Sequence, residues 1–399
     1  MFLKTVMERN QPLVRLGIEW QQNGVILPDT YLLDYDTILE NARSIKQASD
    51  ANGVQNFFML KQIGRNPLIA RALTDMGYVG AVCVDFREAL TMVENQIPLG
   101  NVGHLVQIPR AALKKILRAK PVIVTVYTLE KAREISAVCT ELGLHQKLML
   151  RVLGEGDMLY SGQYGGFELQ ELDSAVRAIE AMPNVEVGGV CSFPCFLYDE
   201  AAQDILPMPN LRTVQTAAEM LRARGYRDLM LNTPSATCTH SIPMIAAAGG
   251  THGEPGHGLT GTTPYHAGHP DAEERPGYLY VSEVSHNLGD KAYCYGGGHF
   301  PPGPIKNALG GAAPENAKVV PVLPPDDSSI DYHFELQQNC PVSAAAVMAF
   351  RTQFFVTGAG WQWSKGCPPA SRSWRACTLR WENRSGNDRK DNSQWESLL

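Results

Sequence analysis

Lys61 closes the apolar run FFMLK and is followed by QIGRNP. A lysine at the end of an apolar strand is costly to desolvate. A dry setting lowers its pKa and turns the neutral amine into an imine-forming nucleophile. The competing reading is a rim lysine with its head in water. Arg65 follows Gly64 and is spaced to reach a phosphate. Far along the chain two turns offer a cradle for such a group. One is Asn232-Thr-Pro-Ser-Ala-Thr, which presents Ser235; the other is Glu254-Pro-Gly-His-Gly, which offers Gly256 and His257. A hydroxyl, together with backbone N–H groups that glycine lets come close, is what a phosphate needs. Glu254, just before that cradle, can reach the far side of a phosphate-bearing ring. An imine-capable lysine combined with a phosphate cradle is more specific than either turn alone.

Other residues offer weaker signals. His104, in GHLVQ, either lines the same site or is a satisfied core histidine. Arg151, ending KLMLR, either holds an anionic ring oxygen or pairs with a rim acid. Cys191 and Cys195 flank Pro194, but two cysteines four apart are too few ligands for a metal and read as buried thiols. Tyr293-Cys-Tyr295-Gly-Gly-Gly-His299 is either a plain hairpin turn or a tyrosine presented to a neighbouring mouth. The acidic stretch from Asp326 to Asp331 is either a solvated loop or a pocket lining.

The elements that must position these groups follow from the alternation of the text. After an entry strand, YLLDYD, eight short apolar runs lie between Phe57 and Pro255: FFMLK, GAVCVD, NVGHLV, VIVTVY, KLMLRVL, VGGVCSFP, LMLNTPS and THGEP. Helix-period stretches separate them. Asn66 is placed to cap one helix, with Pro67 at its first position and Gly77 as its stop; Thr128 to Leu144 is a second. Near-continuously apolar strands with crossover helices indicate a parallel sheet covered on all sides. The expectation is an α/β fold, a (β/α)8 TIM-like barrel over 31–265, whose working groups sit at the C-terminal ends of its strands. An open doubly wound sheet is the alternative. Runs such as YLYVSEVS, KVVPVL and AVMAFRTQFFVT, broken by Gly/Pro loops, predict an all-β domain over 266–357. Residues 1–30 are expected to form a short helix that packs on one of the two units.

Composition bounds the rest. The chain has 399 residues and a net charge of −6, which argues against a surface that coats nucleic acid. No apolar run reaches membrane-spanning length, and the first residues lack a signal-peptide stretch. Nine scattered cysteines without a CxxC pair read as reduced thiols of a cytoplasmic protein. Residues 358–399 stand apart: five of the six tryptophans fall there, the segment is basic, and it lacks any apolar period. It reads as a disordered tail, and no function is assigned to it.

The motifs LKQxGRNP, GHLVQIP, PSAT, EPGHxLTG, YCYGGG, DDSSIDY and FRTQ identify a resemblance over about residues 1–357. The chain is similar to the fold-type III pyridoxal-phosphate enzymes, which include alanine racemases and ornithine/diaminopimelate decarboxylases, and most of all to the YhfX-type alanine-racemase-like proteins. The resemblance implies pyridoxal 5'-phosphate as cofactor and a small amino acid as substrate. Lys61 resembles the lysine that carries the cofactor and serves as base on one face of the substrate carbon. Ser235, Gly256 and the backbone of His257 resemble the phosphate cradle. Arg65 stands where racemases often place a phosphate-binding tyrosine. His104 and Arg151 are expected among the cofactor contacts. Tyr295 resembles the opposite-face base that racemases take from the partner subunit, which implies a homodimer with composite sites. Two positions depart from the racemase pattern. Glu254 replaces an arginine facing the pyridine nitrogen and matches the decarboxylases instead. Ser192 stands where relatives tend to carry histidine. The expected reaction is therefore a two-base racemisation. A decarboxylase or D-amino-acid lyase is the enzymatic alternative, and a cofactor-binding protein without fast turnover the other.

Overall fold

A computed structural model describes residues 2–300, 303–323, 326 and 330–354, and the backbone of 360–364. Eight parallel strands run in sequence order: Gln55–Phe58, Gly80–Cys83, Leu99–Val102, Ile123–Val126, Gln146–Leu153, Val185–Cys191, Met230–Asn232 and His252–Gly253. Each pairs with the next, and the eighth pairs with the first through His252 and Gln55, so the sheet closes. The closed ring confirms the barrel and removes the open-sheet alternative.

Side-chain alternation along the strands builds two apolar layers. Phe57, Met59, Val82, Val84, Ile123 and Met149 fill the inside of the ring. Their neighbours Phe58, Leu60, Ala81 and Cys83 face outward into the helices. This period of two is the reason near-continuous apolar runs are needed: both faces of every strand are buried. The crossover helices start and stop where the caps predict. Asn66 Oδ1 accepts from the backbone N–H groups of Leu68 and Ile69, and Pro67 opens the helix Pro67–Asp75. Thr128 caps Leu129–Leu142, which ends on Gly143 in the left-handed region. The helix Tyr35–Ala51, which precedes the first barrel strand, touches both Pro67–Asp75 and Ile242–Ala247 and closes the helical ring.

The second unit is antiparallel. Tyr278–Leu288, Lys291–Tyr295, His333–Leu336, Lys318–Leu323, Asn307–Gly311 and Ala345–Met348 pair in that order and return to Tyr278–Leu288. Two corrections to the sequence expectation arise here. The entry strand belongs to this sheet and not to the barrel: Thr30–Asp34 pairs antiparallel with Tyr278–Val281. Every residue of it is buried, so its apolar run could not by itself say which sheet it joins. The basic tail is not wholly without structure either, because Gly360–Ser364 pairs parallel with Thr30–Asp34. Residues 365–399 lie outside the described residues. The first residues form two helices, Leu3–Arg9 and Gln11–Gln22, whose apolar side chains Phe2, Val6, Leu13 and Ile18 pack on Leu32, Leu279, Val281 and Val347. Among the described residues no helix is long and apolar enough to cross a membrane.

Candidate active site

The C-terminal ends of the barrel strands converge on a polar floor. Glu254 follows strand eight and is buried. Its Oε1 accepts from Asn232 Nδ2 at 2.6 Å and from Asn101 Nδ2 at 3.3 Å, while its backbone N–H donates to Thr237 Oγ1. Asn101 is held in turn by the Thr125 hydroxyl at 2.7 Å. The other carboxylate oxygen, Oε2, has no hydrogen-bond partner among the described residues and lies 3.7 Å from His104 Nε2, which also lacks one there. Burial lowers the pKa of His104, so its imidazole is biased to the neutral form. Arg151 is fully buried; Nη1 donates to the Tyr127 hydroxyl at 3.0 Å and Nη2 to the Gln163 carbonyl at 2.8 Å. His104 is thus a buried histidine with one ring nitrogen unsatisfied among the described residues, and Arg151 bonds to Tyr127 and Gln163 rather than to a rim acid.

Above this floor, Lys61 opens the short turn Lys61–Ile63 after strand one. It is half-buried, and its amine makes no hydrogen bond or ion pair among the described residues. Desolvation lowers its pKa to about 8, with Glu88 and Glu254 opposing and Arg351 adding to the shift. Gln62 is buried with Oε1 unpartnered. A Cβ on Gly256 would lie 2.7 Å from that oxygen, so a larger residue there would displace the Gln62 amide beside the Lys61 turn. Ser235 sits at the strand-seven turn with its hydroxyl donating to the Phe196 carbonyl at 2.7 Å, which leaves its lone pairs and not its proton for other contacts. His257 follows Gly256, and Arg351 donates to its Nε2 at 3.2 Å.

Arg65 is drawn sideways, 3.1 Å from Asp85 Oδ2, by an ion pair with the helix that follows strand two. Ser192 is buried and accepts from Asn210 Nδ2 at 3.1 Å, so its hydroxyl is tied to a helix. Cys191 and Cys195 are buried free thiols. Tyr295 lies in the other sheet. Its ring sits 5.8 Å from that of His333, it is 39 % exposed, and its hydroxyl makes no hydrogen bond among the described residues.

Several groups at this mouth were not singled out in the sequence. Asn101 and Asn232 are amides inside apolar strands, a signal that was present. Glu88 follows Asp85 at capping-box spacing and accepts from the Val84 N–H at 2.9 Å, yet its Oε1 is unpartnered and burial raises its pKa to about 7. Arg351 belongs to FRTQ, where nothing local distinguishes it.

An unsatisfied buried polar atom costs about 1–3 kcal/mol. Glu254 Oε2, His104 Nε2 and Gln62 Oε1 gathered beside a desolvated amine therefore mark a place built for a polar ligand. The residues fit pyridoxal phosphate: a carboxylate oxygen open to a ring N–H, a low-pKa amine for its carbonyl, and a close-approach glycine turn beside Ser235 for its phosphate. A metal reading elsewhere is weaker. Cys238, His266 and Glu274 bring potential ligand atoms together. However, His266 Nδ1 accepts from the Thr263 N–H and Nε2 faces Glu274 at 3.0 Å, so both ring nitrogens are already used in a helix cap.

Known proteins share this fold. Residues 33–264 match the alanine racemase N-terminal domain and residues 279–366 the YhfX-like C-terminal domain, so the likeness extends past residue 357. The uncharacterized protein YhfX of Escherichia coli (strain K12) is 41% identical over 359 residues, 90% of this chain and 92% of that protein. Among solved structures, alanine racemase of Clostridium difficile 630 superposes with a TM-score of 0.61 at 13% identity, covering 85% of this chain and 96% of that one. Diaminopimelate decarboxylase from Helicobacter pylori, complexed with L-lysine, gives 0.61 at 14% over 88% and 93%. D-threonine aldolase from Filomicrobium marinum gives 0.59 at 18% over 80% and 85%. At these identities the structures establish the fold, and they carry three different reactions.

Proposed function

Because the chain belongs to the alanine racemase N-terminal domain family, joined to a YhfX-like C-terminal domain, we propose that it is a pyridoxal-phosphate-dependent enzyme acting at the α-carbon of an amino acid. The observation that carries this reading is the Lys61 amine, unpartnered among the described residues and with a pKa near 8, at the same mouth as the open oxygen of Glu254. Lys61 would hold the cofactor through its carbonyl. Gly256 and the backbone of His257 would take the phosphate, joined by Ser235 once its hydroxyl turns from the Phe196 carbonyl, and Glu254 Oε2 the ring nitrogen. His104 and Arg151 line the floor, and Arg65 contributes through its pair with Asp85. When bound, the cofactor supplies an electron sink for charge developing at the α-carbon. Lys61, neutral above pH 8, can take or return a proton on one face of that carbon. Tyr295 of the partner subunit would serve the opposite face, so the working unit is a homodimer and the reaction a racemisation.

Glu254 favours a second reading, decarboxylation or elimination, because a carboxylate keeps a ring nitrogen protonated and deepens the sink. Borohydride reduction of the protein mixed with pyridoxal phosphate tests the first step. Mass spectrometry should find the cofactor fixed on Lys61 in the wild type and absent in Lys61→Ala, with turnover lower by roughly 10³-fold or more. Deuterium exchange at the α-carbon without release of carbon dioxide or ammonia then identifies a racemase. Release of either product identifies the second reading. A wild type that fixes no cofactor overturns both.

A further inference from the structure

Three arginines reach the mouth, and they differ in what neutralises them. Arg65 is paired with Asp85. Arg151 is enclosed, with both Nη groups committed to Tyr127 and Gln163. Arg351 comes from the β domain and donates its Nε–H to His257 Nε2. Its two Nη groups make no hydrogen bond or ion pair among the described residues.

The contact with His257 orients this guanidinium without cancelling its charge. Since Nε2 accepts, the imidazole proton sits on Nδ1, 3.2 Å from Thr262 Oγ1. Burial, with Arg351 and Lys61 nearby, holds the His257 pKa well below the usual histidine range, so the ring stays neutral. The backbone on each side is also fixed. The Phe350 carbonyl accepts from the Tyr278 hydroxyl, Thr352 Oγ1 lies 2.6 Å from the Tyr31 hydroxyl, and Phe350 and Thr352 are both buried. Lys61 and Tyr160, the latter in the loop after strand five, both feel the charge so presented. The bond to His257 holds Arg351 against the strand-eight turn. A partly desolvated guanidinium with a free fork is suited to bind an oxyanion.

We propose that Arg351 is the oxyanion receptor of the mouth, and that its ligand is the carboxylate of the amino-acid substrate. The cofactor phosphate has the same chemistry, but the backbone N–H groups of the turn at Gly256 and His257 are placed to provide for it. The inference rests on the reading of the site given above and narrows it. An ion-paired carboxylate resists loss as carbon dioxide, because the departing group must leave its counter-charge. Arg351 thus weighs toward proton exchange, against the pull of Glu254.

The test uses the full-length protein, Arg351→Gln and Arg351→Lys, with thermal unfolding as the folding control. Loading with pyridoxal phosphate and with pyridoxal is read by borohydride reduction and mass spectrometry. Binding of an amino acid and of its carboxamide to the loaded protein is read by visible absorbance. Arg351→Gln should load like the wild type and keep its preference for pyridoxal phosphate over pyridoxal. It should bind the amino acid roughly ten- to hundredfold more weakly, with the carboxamide little changed. Arg351→Lys, which keeps the charge and loses the fork, should fall between, and it carries the test if Arg351→Gln does not fold. Loss of the preference for pyridoxal phosphate with amino-acid binding unchanged would assign Arg351 to the phosphate and overturn the proposal. No change in either also overturns it. Failure of the wild type itself to load would instead remove the cofactor reading on which it rests.

Discussion

At the barrel mouth, Glu254, His104 and Arg151 are shut away from water, and several of their polar atoms await a partner. In the β domain, Tyr295 stands at the end of the strand Lys291–Tyr295, exposed and without a hydrogen bond at its hydroxyl among the described residues, while the loop behind it is firmly held. Asp331 Oδ2 accepts from the N–H groups of Gly297 and His299 at 3.2 and 3.3 Å. Gly297 has φ +112, and a Cβ there would meet the Asp29 carboxylate, itself hydrogen-bonded by Tyr280 at 2.7 Å. One region is a receptacle of buried polar atoms. The other is a braced platform whose exposed tyrosine hydroxyl makes no hydrogen bond among the described residues. A platform so fixed and so open is explained if it completes the receptacle of a second copy.

Mixing two inactive variants gives the most forceful way to break this comparison. Tyr295→Phe should keep cofactor loading and lose roughly 10²-fold in turnover, with proton exchange surviving on the Lys61 face. Lys61→Ala should lose loading. In a C2 dimer with shared sites, half of the dimers formed on mixing are hybrids, and each hybrid holds one intact site. Mixing and re-equilibrating the two variants should therefore restore up to about a quarter of wild-type turnover. No recovery, with hybrid dimers detected, places Tyr295 in service of its own chain or of none.

Much of the receptacle was legible in the sequence, because a barrel fixes where each strand end points. Eight apolar runs put Lys61, Arg151, Ser235 and Glu254 toward the C-terminal ends of strands, and the barrel holds them there. What the text could not show came from contacts far apart in the chain. Arg351 meets His257 across 94 residues. The pairing of Thr30–Asp34 with Tyr278–Val281 depends on which sheet an apolar strand joins, and its composition suits either. Gly360–Ser364 was hidden for another reason: a parallel strand pair rests on backbone bonds, and the tryptophan-rich text around it carries no period to announce them.

The chemistry of Lys61 sharpens the contrast in solution. Only the neutral amine attacks a carbonyl, and burial brings its pKa down to about 8. The rate of cofactor capture should therefore rise about tenfold per pH unit below 8 and level off above it. A water-facing lysine, near 10.4, would keep rising through pH 10. Stopped-flow absorbance at a fixed cofactor concentration measures this. A profile without a plateau before pH 10 would mean that the amine is solvated and the mouth is not the dry receptacle described.

The smallest expected effect concerns the brace. Asp331→Ala removes the acceptor of the Gly297 and His299 N–H groups, each bond worth about 1 kcal/mol in net terms. Tyr295 would then be held less firmly while every barrel contact stays unchanged. Loading of the cofactor and the plateau near pH 8 should match the wild type, and turnover should fall only a few-fold to about tenfold, since misplacing one base weakens proton transfer without abolishing it. The split between loading and turnover is the informative quantity. Were Asp331→Ala to impair cofactor capture as much as turnover, the two regions would be coupled through the fold of a single chain, and the division between receptacle and platform would not stand.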